Sequence, residues 1–212
     1  YLEAAKDKHE NKVFYVTDEK EQSQYINMFR EEKLNAVILT HNIDNPFITH
    51  EEQKHENVKF QRIDADVNEI FKEEVKEEDK ETLENQAKTL TETFRKALGN
   101  DKLEVKVEKL KNESVSSMIT VAEETRRMQE MMKMYNMYGM DPSMFGGTGE
   151  VLVLNANNSL VKYVLEHADG EKTPVICEQL YDLALLSHGT LSPERMTKFI
   201  ARSNQIMTEL AE

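Results

Sequence analysis

Several things are scarce in these 212 residues, and each scarcity removes a class of protein. There is one cysteine, Cys177, set in an apolar run, so no internal disulfide can form and a reduced, cytoplasmic setting is expected. Positive charge is the minority. The 27 Lys and Arg face 40 Asp and Glu, and a net charge of −13 argues against a nucleic-acid partner. Apolar runs are short, none nearing the roughly 20 residues that a membrane helix needs. The first residues show no secretory pattern, and a chain opening on Tyr1-Leu2-Glu3 instead of Met suggests a piece of a longer protein. The motifs of catalysis are missing too: no GxGxxG, no HExxH, no paired CxxC. Gly146-Gly147-Thr148-Gly149 lacks the Lys and the helix start of a phosphate cradle, and reads as a flexible loop. His41, His50 and His55 have no carboxylates at the spacing that completes a zinc set, and are expected on the surface. Ser159, Ser187 and His188 sit in no nucleophile-elbow context. Asp18, Asp44 and Asp64 follow strands as in a phosphate- or magnesium-binding receiver domain, but residues 1–66 supply too few strands for one. No catalytic residue and no metal ligand emerges.

Methionine is abundant in one place. Eight of the eleven methionines fall between Met118 and Met144. Stepping about 100° per residue, Met128, Met131, Met132, Met134, Tyr135 and Tyr138 share one side of a helix, opposite Arg126, Gln129, Glu130, Lys133 and Asn136. Arg127 breaks the apolar arc and Met137 lies among the polar positions. Leu, Ile and Val are absent between Val121 and Val151, and unbranched, polarizable methionine suits a surface that re-packs against varied partners. The alternative is an ordinary amphipathic helix buried as core.

Around this stretch the chain is expected to be mixed α/β and α+β. Val13-Phe14-Tyr15-Val16 is a strand, Thr17-Asp18 caps a helix presenting Tyr25, Ile26 and Phe29, and Ala36-Val37-Ile38-Leu39 is a second buried strand. That βαβ unit implies parallel pairing. A short helix from Asn45-Pro46 and a strand over Val58–Ile63 complete a small three-layer αβα module, residues 1–75. The acidic stretch Glu69–Glu84 reads as a solvated hinge and the domain boundary. Residues 76–212 form an α+β domain with a short sheet. In it a helix buries Leu83, Ala87, Leu90, Phe94 and Leu98 and ends at Gly99-Asn100. Leu103, Val105 and Val107 alternate as a strand whose antiparallel neighbour is sought at Val115, Ile119 and Val121. Val151–Leu154 is another strand, and Asn157 or Asn158 caps a helix to about His167. Two terminal helices follow, one capped by Thr173 with Pro174 and closed by Gly189, one opened by Ser192-Pro193-Glu194. Ile176, Leu180, Leu183, Leu186, Met196, Phe199, Ile200, Ser203, Ile206 and Leu210 are the candidate interface positions, and the apolar side chains of the first helix exceed what one amphipathic neighbour can cover, the alternative being packing within the same chain. Two such hairpins forming a four-helix bundle in a homodimer is the economical solution. About five large side chains per subunit at roughly 1.5 kcal/mol each give on the order of 15 kcal/mol gross, against about 4–15 kcal/mol for association.

In this order the elements resemble the C-terminal half of the HtpG/heat-shock-protein-90 chaperone family, closest to its bacterial, cytosolic branch. Val13–Thr17 resembles the strand entering the small αβα part of the family's middle domain, and Ala36–Thr40 with Ile43-Asp44 its "VLLLTDPID"-like segment. Asp101–Lys106 resembles the start of the C-terminal domain. Leu154–Val161 resembles the "LNPxHxLV"-type helix start, and Leu185–Leu191 the "AxLxxGTL" turn between the dimerisation helices. The resemblance implies an ATP-driven dimeric stress chaperone whose nucleotide site, with its ATP and magnesium, belongs to an N-terminal domain outside this chain. The middle-domain arginine that assists hydrolysis would also lie upstream, so the chain alone is expected to be no enzyme and to need no cofactor. It further implies that residues 174–187 and 192–211 dimerise. Met131, Met134 and Tyr135, and by helical face Met128, Met132 and Tyr138, would contact unfolded or partly folded client proteins. The ending Glu209-Leu210-Ala211-Glu212 lacks the acidic pentapeptide of eukaryotic members, so TPR co-chaperones are not expected.

Overall fold

Val13-Phe14-Tyr15-Val16 carries a large side chain at every position, which a strand can bury only when both faces are covered. The computed structural model, which describes residues 1–3, 11–41, 43–67, 69–123, 125–128 and 149–211, makes this the central strand of a three-stranded sheet. β1 (Lys12–Val16) lies between β2 (Val37–Ile38) and β3 (Lys59–Arg62), parallel to both. Side chains alternate across a strand. Val13 and Tyr15 therefore cluster with Phe60 and with Ile48 of α2 (Asp44–Lys54). On the opposite face Phe14 meets Phe29 of α1 (Ser23–Glu31) edge-on, with ring centroids 4.9 Å apart. A helix thus covers each face of the sheet.

Two local expectations need correction here. The helix after β1 begins at Ser23, not at Thr17-Asp18. Asp18 does accept backbone bonds from Lys20 and Glu21, but it closes a separate turn, and the side-chain oxygen of Gln22 takes the amides of Thr17 and Asp18. The second strand is shorter and less buried than a buried strand should be. β2 has two residues at the sheet edge, and Ile38 faces out. Asp18, Asp44 and Asp64 all serve local structure. Asp44 accepts from the His41 amide and Asp64 is buried against Arg62.

The chain divides into two compact units, one holding Tyr1–Phe71 and Val121–Gly149, the other Lys72–Thr120 and Glu150–Glu212.

The second unit opens on α3 (Glu77–Leu98), a helix whose dipole is complemented at both ends. Glu77, Glu78 and Asp79 lie in its first turn, and Arg95 and Lys96 in its last. Gly99 ends it in the left-handed region, φ 60°, where a Cβ would be strained. Leu90 and Phe94 are fully buried against β4 (Glu104–Glu108), β5 (Ser117–Val121) and β6 (Glu150–Asn155). Val161 and Val164 of α4 (Ser159–Glu166) join that core, as do Cys177, Leu180 and Ala184 of α5 (Thr173–His188).

The sheet order is β4-β6-β5, which corrects the expected β4–β5 neighbours. β6 enters between them and runs parallel to β4, from Glu104 opposite Val151 to Glu108 opposite Asn155. β6, apolar from Val151 to Leu154, takes the central place. Asn158 is the cap of α4, its side chain accepting the Leu160 amide. Thr173, by contrast, is inside α5, and its hydroxyl donates to the His167 carbonyl instead of capping. Asn155, wholly buried, accepts from the Leu110 and Asn157 amides and donates to the carbonyls of Asn112 and Val115, tying down the loop before β5.

Candidate functional site

Residues 123 and 125–128 form the helical root of the methionine-rich segment. Met128 is 45% exposed. Met131, Met132, Met134, Tyr135 and Tyr138 lie outside the described residues. The root is held by charge. Glu123 precedes Arg126 and Arg127 by three and four residues, spacings that bring side chains together on a helix. Its Oε1 accepts from Tyr15 Oη at 2.8 Å and from Arg127 Nε at 2.8 Å, and Arg126 binds both carboxylate oxygens. Arg126 also donates to the Tyr15 hydroxyl. Arg127 continues to Glu52 of α2, its Nη1 2.7 Å from Oε2, and to the Phe60 carbonyl of β3 at 3.0 Å. Glu52 in turn accepts the Phe60 amide at 2.7 Å.

Burial would raise the pKa of Glu123, but the bonds and charges of Arg126 and Arg127, with the Tyr15 hydroxyl, outweigh it and bring it down to about 2. Glu52 is lowered in the same way, burial being overcome by Arg127 and the Phe60 amide. Burial and the neighbouring Glu123 charge push the Tyr15 hydroxyl well above its usual range, so it remains a donor. The Arg127 that interrupts the apolar arc of the sequence is thus the residue that reaches furthest into the first unit.

α6 (Pro193–Ala211) is oriented against simple expectation for an amphipathic helix. Its one buried residue among those described is Arg202. Arg202 donates from Nη1 to Glu178 Oε2 at 2.7 Å, from Nε to Gln179 Oε1 at 2.9 Å, and from Nη2 to buried Asp182. Asp182 also accepts from Arg195, whose guanidinium lies 4.6 Å over the Tyr181 ring. Ser203 accepts from Gln179 Nε2 at 3.1 Å. The inner contacts of α6 are therefore largely ionic and polar, and its apolar residues lie beside or beyond them. Ile200 is 52% exposed, Met207 58% and Leu210 82%. Ile200 and Met207 lie roughly 140–160° around the helix from Arg202. On α5, Leu183 is 44% exposed and Leu186 half-buried. Met196, Phe199 and Ile206 are half-buried, Ile176 packs against the core of its own chain, and Leu180 is inside that core.

The ionic ring of Asp182, Arg195 and Arg202 went unread in the sequence. Asp182 sits in an apolar run and Arg202 between Ala201 and Ser203, and only the pairing of two helices brings them together. Other chemistry is sparse. Among the described residues no three His, Cys, Asp or Glu are grouped to hold a metal ion, and no helix is long and apolar enough to cross a membrane. Burial, with a contribution from Glu178, pushes the Cys177 thiol up to about 12, so it is no nucleophile.

The family model described as Hsp90 protein matches residues 1–212. The chain is 33% identical over 180 residues to the chaperone protein HtpG of Bacteroides thetaiotaomicron, covering 80% of this chain and 25% of that protein. It is 29% identical over 168 residues to HtpG of Porphyromonas gingivalis, covering 76% and 23%. It is 24% identical over 208 residues to HtpG of Chromobacterium violaceum, covering 95% and 32%. The chain spans about a quarter to a third of the length of these curated relatives. A family model matched from end to end, and HtpG relatives aligned over most of its residues, establish that the chain belongs to the Hsp90 family, in its bacterial HtpG branch.

Proposed function

We propose that this chain is the C-terminal part of an HtpG-type chaperone, joining two copies through α5 and α6 and presenting the segment that begins at Met128 to unfolded or partly folded clients. The orientation of α6 carries the reading. A helix that buries Arg202 and exposes Ile200, Met207 and Leu210 has an ionic side inward, and the outward apolar side chains gain stability when covered. Cover by the same side of a second copy fits, because Leu183 adds a fourth exposed apolar residue on the adjacent helix. Nucleotide binding and hydrolysis belong to the remainder of the family protein. The chain itself has no enzymatic role and needs no cofactor.

The exposure of Met128 favours a surface role for the methionine-rich segment over a buried one. Changing Met131, Met134 and Tyr135 to Ser is expected to weaken binding of a reduced, alkylated unfolded protein at least tenfold while leaving the melting temperature and the sedimenting mass unchanged. Unchanged affinity would refute the client surface, and a loss of several kcal/mol of stability would place these side chains in a core. Equilibrium sedimentation tests the other half. The intact chain should run near twice its 24.6 kDa mass, and deletion of residues 192–212 should return it to the mass of a single copy. A single-copy mass for the intact chain would refute the dimer.

A further inference from the structure

We propose that Glu123 is a positioning residue, the keystone of a clamp that fixes the root of the methionine-rich segment onto the parallel sheet of the first unit. It rests on the client-contact reading only for its purpose; the clamp has a readout of its own. Four observations converge. Glu123 is joined to three chain segments remote in sequence: β1 through Tyr15, β3 through the Arg62 amide at 3.4 Å, and α2 through Arg127 and Glu52. The four charges balance, Glu52 and Glu123 against Arg126 and Arg127, so no charge is buried without its counterpart. The cluster is sheltered, with side-chain exposures of 4% for Arg126, 14% for Glu52 and 18% for Glu123. Tyr15 at its base is wholly buried, so the anchor point is a fixed part of the sheet core.

The bonds are also directional. Arg127 grips Glu52 with both terminal nitrogens and the Phe60 carbonyl with one of them. Because Glu52 accepts the Phe60 amide as well, that one peptide segment of β3 is held from both its polar sides. Planar guanidinium forks fix orientation as well as distance. A helix root attached by two of them has a defined direction as far as Met128.

The test is hydrogen exchange on the full chain, comparing Glu123→Gln and Arg127→Ala with the unchanged protein. Amides at 125–128, Phe60 and Arg62 should exchange at least tenfold faster in each variant, while those of β4 and β6 remain within twofold. Glu52→Gln combined with Arg127→Ala should be no faster than Arg127→Ala alone, because the two act through one pair. No local acceleration would overturn the clamp, and so would equal acceleration throughout β4 and β6, the mark of a general loss of stability. If Glu123→Gln does not fold, Arg127→Ala decides alone, its side chain being one-third exposed. The serine substitutions at Met131, Met134 and Tyr135 should leave this exchange pattern unchanged. Failure of the client reading and failure of the clamp are therefore separately visible.

Discussion

If two copies join through α5 and α6 as proposed, replacing Ile200 and Met207 by Ser should dissociate them without harming the single chain. The two residues are 52% and 58% exposed, seven positions apart on one stripe of α6. Covering them would remove about half of each side chain from water, worth roughly 1 kcal/mol apiece at ~25 cal/mol per Å². A two-fold interface uses each residue twice, so the double substitution should cost about 4 kcal/mol of association, roughly a thousandfold in Kd. Equilibrium sedimentation over a range of loading concentrations reads that change directly. Chemical denaturation of dilute, dissociated protein supplies the control, because exposed substitutions alter stability by only about 0.5 kcal/mol. Two results would refute the reasoning. A Kd within threefold of the original would mean that this stripe is not the interface. A single chain destabilised by several kcal/mol would mean that the stripe is buried against its own chain.

Two further outcomes follow from the buried charges. Asp182→Ala should destabilise the chain by about 2–4 kcal/mol, because it removes the buried carboxylate shared by Arg195 and Arg202 and leaves Arg202 only the more exposed Glu178; a urea midpoint unchanged from the original would contradict the ring. Glu123, depressed from its ordinary 4.5 to about 2, stabilises the fold above pH 4.5 and loses that contribution as the pH falls toward 2. The amount is up to about 3 kcal/mol. Urea titrations at pH 6 and pH 3 measure it, and Glu123→Gln should flatten the difference; equal slopes in both proteins would assign the acid sensitivity elsewhere.

Local pattern was legible where the determining interactions are local. The alternation of Leu103, Val105 and Val107, the left-handed Gly99 and the cap at Asn158 depend on neighbours a few residues away, and the structure follows them. The resemblance to the Hsp90 family was carried by the same short segments, and the family match bears it out. What misled was pairing at a distance. Nothing near Leu103–Glu108 indicates that β6, more than forty residues on, would displace β5 as its neighbour, because parallel pairing leaves no turn signature. Likewise Thr17-Asp18 has the composition of a cap, and only the competing hydrogen bonds of Gln22 delay the helix.

The sequence by itself determined which segments are helix and strand, where the large apolar side chains concentrate, and the family. Periodicity and capping chemistry act through residues three or four apart. Tertiary structure alone decided what the charged residues inside apolar stretches are for. Arg127 is an interruption when the helix is viewed alone and a tether once Glu52 and Phe60 stand opposite it. Arg202 is one polar position among many until Asp182 on the preceding helix turns that side inward and leaves Ile200 and Met207 facing out. The reason is physical: a buried charge is stable only beside its counter-charge, and where that counter-charge lies is set by the fold, not by the spacing of residues along the chain.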